Sequence, residues 1–452
     1  MVKDNFKRMT ESNVYKLIIV LGIPTIITML VTNIYNLVDT YFVGTLGDSA
    51  QGATGILFTL QSIIQAIAFM FGHGCGAYVS KFLADKDTKS ASKYATSAFF
   101  ISFLMGLLLM MFGLIFLDGF CYLLGSTDTI LPYAKDYGMW VLISAPFLMA
   151  SLVLNNILRY EGRALFAMIG LVTGCLLNIL GDYIFIPVCN MGVFGAGLST
   201  AISQLVSFII LVVLFMIYSE SKINIKNIST NVMDYLKIIR TGFPSLIRQG
   251  LNSVSSGILN NLCKPYGDSA IAAMSVVNRY SSFVMSIGLG LGQGFQPVCA
   301  FNYQVKKYDR VKKGVIFTIL FGMFLVSLLA IPGITFPNAI MWLFNKENAV
   351  ISIGEEALRY ACIGALFLPI SITANMLYQS IRKSEIASFL SMLRSGLVFI
   401  PLIFIFEANF KLLGIKLAQP ISDIIAAIIS IPFIVLFIMK KHDNVEESSE
   451  AV

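Results

Sequence analysis

The chain has 452 residues, of which 57% are hydrophobic and 13% charged, with a formal net charge of +7 and a mean hydropathy of +0.80. A soluble protein carries about twice that charged fraction, so a large water-soluble domain is excluded and a polytopic membrane protein is expected. The positive charge invites a nucleic-acid reading, but the basic residues fall where a positive-inside topology needs them, which removes that reading. The chemistry of the chain therefore has to be sought inside a membrane bundle.

Twelve apolar stretches are long enough to cross a bilayer at about 20 residues each. They lie near 15–43, 53–78, 95–117, 134–158, 164–187, 193–218, 235–262, 270–300, 314–341, 355–381, 386–409 and 412–439. The first follows a polar arm and lacks a small-residue cleavage pattern, so it reads as a span and not as a cleaved signal. Lys and Arg cluster in the N-terminal arm (Lys3, Lys7, Arg8, Lys16), in Lys81 to Lys93, at Arg159 and Arg163, in Lys222 to Arg240, in Lys306 to Lys313, at Arg382 and Lys383, and at Lys440 and Lys441. The alternate connections hold only Lys135, Lys264, Lys346, Lys411 and Lys416. Both termini are thus expected on the cytoplasmic side of the plasma membrane.

Residues 15–80 recur at a constant offset of 220. Tyr15, Gly22, Pro24, Gly47, Asp48, Ser49, Ala50, Gly72 and Gly74 reappear as Tyr235, Gly242, Pro244, Gly267, Asp268, Ser269, Ala270, Gly292 and Gly294. Six spans per copy give two bundles of the same orientation, related by a pseudo-two-fold axis along the membrane normal. The expected organisation is an N-terminal six-helix bundle over 1–218, a linker over 219–234, a C-terminal bundle over 235–440 and a disordered acidic tail over 441–452. Seven Cys are scattered without metal-ligand spacing and read as small core residues.

Ionisable residues inside a span are costly and point to function. The set is short: Asp39, Asp182, Arg248, Arg279, Arg394 and Asp423, with Arg359 near a span edge. Tyr35 and Asn36 precede Asp39 by four and three residues and share its helical face, and Pro24 bends the same span. Asn178 and Asp182, also four apart, present an amide and a carboxylate together. Each acid fits a proton or cation site, and each also fits a hydrogen-bonded structural role near the outer end of its helix. Ser199, Ser203 and Ser207 have the spacing of helix–helix glue, with Thr200 and Gln204 beside them. His73, between Gly72 and Gly74, fits a buried core histidine, and Arg394 and Asp423 fit a buried pair between the last two helices. No HExxH, GxSxG or clustered His and Cys supports an enzyme.

The pieces Gly22-Ile23-Pro24, Tyr35-Asn36-Leu37-Val38-Asp39, Gly44 to Ala50, Asn178-Ile179-Leu180-Gly181-Asp182 and Gly195 to Ser203, in this order and spacing, resemble the multidrug and toxic compound extrusion (MATE) family in its prokaryotic, MepA-like branch. The resemblance covers most of 12–440. It implies two six-helix bundles around a cleft that alternates between membrane faces, exporting cationic amphipathic drugs in exchange for protons or sodium ions. It places the coupling site on Asp39, Asn178, Asp182 and Thr200, with Tyr137 lining it, and implies no cofactor beyond the coupling ion. Tyr35, Asn36, Gln204, Gln249, Asn252 and Asn375 are further cavity-lining candidates. Some members bind sodium on carboxylates of the C-terminal bundle, but this chain has Gln249, Asn252 and Asn375 there. A flippase for lipid-linked saccharides is the alternative in the same superfamily, since Arg248, Arg279 and Arg394 could meet phosphates. The partners expected are small cationic drugs and the bilayer, without nucleic acid, and a single chain suffices to form the cleft.

Overall fold

The computed structural model describes residues 2–440 and is helical almost throughout, with no strand among the described residues. The tail expected to be disordered lies outside them. The helices are α1 (Val2–Glu11), α2 (Val14–Gly44), α3 (Asp48–Ala84), α4 (Thr88–Ile115), α5 (Leu117–Leu123), α6 (Leu131–Tyr160), α7 (Ala164–Tyr183) and α8 (Gly192–Tyr218). There follow α9 (Val232–Cys263), α10 (Asp268–Gln304), α11 (Tyr308–Thr335), α12 (Pro337–Phe344), α13 (Asn348–Ala365), α14 (Leu368–Ser380), α15 (Ser384–Met392), α16 (Phe399–Phe410) and α17 (Leu412–Met439). A π-helical turn, Ile184–Val188, continues α7, and a second, Leu393–Leu397, joins α15 to α16.

Among the described residues nine helical stretches are long and apolar enough to span a bilayer, and α13 with α14, bent by 44°, supplies a tenth. Pro369 at the start of α14 accounts for the break, because proline cannot continue the hydrogen-bond ladder of the preceding turn. The remaining two, α9 and α10, fall short by composition: α9 carries Arg248, Gln249 and Asn252, and α10 carries Asn278, Arg279 and Gln293. With them the twelve-helix arrangement is complete.

The duplication is visible in the backbone. Gly47 and Gly267 hold φ of 117° and 87°, outside the reach of most L side chains, and each starts a 37-residue helix. Asn155 donates to the Ala167 carbonyl at 2.9 Å, and Asn375, 220 positions on, donates to that of Ala387 at 2.7 Å.

The chain forms two compact units. One comprises Ile27–Leu246 with the extreme N-terminus, and the other comprises Asp4–Ile26 with the chain from Ile247 onward. The residues 219–234 read as a linker therefore lie within the first unit. Both divisions fall two residues after a helix proline, Pro24 in α2 and Pro244 in α9. Glycine makes this arrangement possible. In the first unit a Cβ on Gly242 would strike the Met70 carbonyl, and one on Gly74 would strike that of Ile238. In the second, a Cβ on Gly294 would strike the backbone of Gly22, and one on Gly290 would come within 2.6 Å of Ile26 Cα. Backbone packs on backbone, as small residues allow between membrane helices.

Loop polarity is satisfied locally. Asp234 accepts from Lys93 Nζ at 2.7 Å, Ser229 Oγ at 2.7 Å and Tyr94 Oη at 2.8 Å. Buried Glu161 accepts from Ser219 Oγ and from the backbone amides of Glu220 and Ser221 at 2.9–3.0 Å.

Candidate functional site

Four helices of the first unit bring the sequence-predicted residues together. Asp39 comes from the later half of α2, Tyr137 from the first turns of α6, Asn178 and Asp182 from one face of α7, and Thr200 from α8. All five are buried, with at most 8% exposure for any of them. The four-residue spacing places Asn178 and Asp182 on the inward side of α7, whose opposite side is apolar.

The contacts run as a chain. Tyr137 Oη donates to Asp39 Oδ2 at 3.1 Å and lies 3.4 Å from Thr200 Oγ1. Asn178 Nδ2 donates to Thr200 Oγ1 at 3.2 Å and to Ser199 Oγ at 3.3 Å, and Ser199 Oγ returns a bond to the Asn178 carbonyl at 2.9 Å. The carboxyl groups of Asp39 and Asp182 face one another. Gln61 of α3 donates to Tyr35 Oη at 3.4 Å.

Donors are short here. Asp39 Oδ1, Asn178 Oδ1 and both carboxylate oxygens of Asp182 are buried without a hydrogen-bond donor among the described residues. A buried acceptor without a donor costs about 1–3 kcal/mol, and more when charged. Two facing carboxylates in an apolar setting repel each other unless a proton or a cation lies between them. The group has the oxygen-rich character suited to such a guest. Among the described residues no cluster of three or more His, Cys, Asp or Glu exists to hold a metal.

The other sequence candidates divide. Tyr35 is buried beside the acids' helices, Asn36 is half-buried on α2, and Gln204 is half-buried on α8 and joins none of the bonds above. Gln249, Asn252 and Asn375 belong to the second unit. Of these Asn375 is buried and accepts from Arg248 Nη1 at 3.0 Å, Gln249 is half-buried and Asn252 is exposed. Arg394 and Asp423 do pair, Nε to Oδ1, at 2.7 Å. His73 is fully buried and stacks on Phe69, with ring centroids 5.3 Å apart. Gln61 escaped the sequence reading, although an amide inside an apolar stretch is itself a signal. Ser199, read there as helix glue, does join α7 to α8, and it does so at the acidic site.

Sequence and structure comparisons identify the family and the fold. The profile of the MatE family matches residues 24–184 and 244–405, most of the chain and again in two copies 220 apart. The multidrug export protein MepA of Staphylococcus aureus (strain MRSA252) is 27% identical over 444 residues, covering 97% of both chains. MepA of Staphylococcus saprophyticus is 25% identical, again over 97% of each. Among solved structures, an outward-facing multidrug resistance MATE transporter of the MOP superfamily superposes with a TM-score of 0.89 at 24% identity, covering 96% of this chain and 98% of that one. A mutant of the Vibrio cholerae MATE transporter VcmN gives 0.88 at 20% identity, covering 93% and 96%. The chain is a multi-pass membrane protein of the MatE family, in its MepA-like branch.

Proposed function

We propose that this protein exports cationic amphipathic compounds by antiport, with protons or sodium ions entering as the drug leaves and the Asp39–Asp182 pair as the coupling site. The observation that carries the reading is the cluster of buried oxygens from Asp39, Asn178 and Asp182 that lack donors, with Tyr137 and Thr200 completing its wall. The likeness to MepA multidrug export proteins over nearly the full length supports the transported class.

Two facing carboxylates titrate as one coupled unit. With the pair negative, the site attracts a cationic drug. With a proton or sodium ion taken up, that attraction falls and the drug is released. For net transport the ion must favour one conformation over the other, since equal affinity for both shifts nothing. Tyr137 holds Asp39 in place and touches Thr200, and Asn178 ties α7 to α8, so loading the pair bears on α2, α6, α7 and α8 together. The site residues serve as ligands and positioning groups, without covalent chemistry or a cofactor. The chain sits in the plasma membrane with both termini in the cytoplasm and works as a monomer.

The test is efflux of a fluorescent cationic dye from cells expressing Asp39→Asn or Asp182→Asn. Each is expected to abolish efflux while the protein still inserts at wild-type levels. Full efflux by both variants would overturn the coupling assignment.

A further inference from the structure

In each repeat the fifth span starts at Ala164 or Ser384 and the sixth at Gly192 or Leu412, so the offset of 220 holds across both. Arg394 therefore stands at the position of Gly174, Asp423 at that of Ser203, and Gln419 at that of Ser199. In the first unit this place is close-packed: a Cβ on Gly174 would come within 2.8 Å of Ser207 Cβ and 3.3 Å of the Ser203 carbonyl. In the second unit the same place holds an ion pair.

Stability does not call for that pair. A buried ion pair loses as much in desolvation as it gains, and apolar residues of similar size serve a core equally well. The hydrogen bonds are also unevenly used. Asp423 Oδ1 takes both Arg394 Nε, at 2.7 Å, and Gln419 Nε2, at 2.8 Å. Arg394 Nη1 meets only Met285 Sδ, at 2.8 Å, and a thioether is a weak acceptor. Nη2 makes no hydrogen bond among the described residues and is not fully enclosed, as the side chain retains 18% exposure against 4% for Asp423. Arg394 lies in the π-helical turn Leu393–Leu397, a feature common at functional sites. An Arg anchored through Nε, with an open Nη edge beside a polarisable Met, is built to receive an anionic oxygen.

We infer that Arg394, anchored by Asp423, is the residue that binds the carboxylate of a transported amphiphile that carries one. This rests on the transport reading above. Charge is distributed to match: the spans of the first unit hold two carboxylates, and those of the second hold Arg248, Arg279 and Arg394 against Asp423.

The test uses a matched pair of rhodamines, one with a free benzoic carboxylate and the other its ethyl ester, with purified full-length protein in liposomes. Arg394→Gln combined with Asp423→Asn keeps a neutral hydrogen-bonded pair, and Arg394→Lys keeps the charge. The neutral pair is expected to raise the half-saturating concentration of the free acid about tenfold, the loss of one charge-assisted contact, and to leave the ester within about twofold. Arg394→Lys is expected to recover part of the loss. Equal loss for both dyes, no loss for either, or a wild-type protein that moves only the ester would overturn the inference. If neither dye moves, the transport reading fails instead. Polarisation of the free-acid dye by detergent-purified protein then decides the role of Arg394: weaker binding by the neutral pair upholds it, and unchanged binding overturns it.

Discussion

Tyr137 is the donor that holds Asp39 in place, at 3.1 Å, and it also touches Thr200 across the site. A hydrogen bond to a charged group contributes about 1.5–3 kcal/mol. Tyr137→Phe is therefore expected to slow drug efflux by on the order of tenfold without abolishing it, in the dye assay used for the acids. Asp87 has a different task outside the membrane. It caps α4, accepting from the Ser90 amide at 3.0 Å, and the hydrogen bonding from Ser90 lowers its pKa. The stabilisation is thus present above the unfolded value of about 3.9 and lost as pH falls through the lower folded value. Asp87→Ala is expected to cost about 1 kcal/mol in thermal unfolding at pH 7, and the gap between variant and wild type should narrow near pH 3.

The halves of α2 and α9 are held by contacts that only glycine permits. Gly242→Ala would drive a methyl into the Met70 carbonyl and is expected to destabilise by about 1–3 kcal/mol, the range for overpacking. Gly250, on the same helix, has open space around it, so Gly250→Ala should be neutral or stabilise by about 0.5–1 kcal/mol. Thermal unfolding of the purified variants in detergent separates the two outcomes. The recurrence of Gly22, Pro24 and Gly74 as Gly242, Pro244 and Gly294 is plain in the sequence. Its meaning is not, because the packing joins segments far apart along the chain and leaves no local periodicity. The acids were legible for the opposite reason: a charge is rare enough in an apolar span to stand out alone. Their four-residue spacings correctly placed Asn178 with Asp182. Which helix supplied the donor to Tyr35 depended on tertiary packing, so Gln61 went unread. The common helix starts place Gln419 at the position of Ser199.

Across both units the scaffold is duplicated and the chemistry is not. The turns at Gly47 and Gly267 and the amide bonds of Asn155 and Asn375 repeat almost unchanged. Asp39 and Asp182 have no acidic counterpart, whereas Arg394 and Asp423 occupy places that are small and close-packed in the first repeat. Duplication supplied the two bundles, and divergence gave one of them carboxylates and the other an excess of guanidinium groups. The central claim is that the carboxylate pair links ion entry to drug exit. It is tested most directly by purified protein in sealed liposomes, following a cationic dye while a proton or a sodium gradient is imposed alone. The account predicts that one of the two gradients drives dye movement and that Asp39→Asn and Asp182→Asn each abolish the driven component. Dye movement indifferent to both gradients, or driven equally well in those variants, would contradict it.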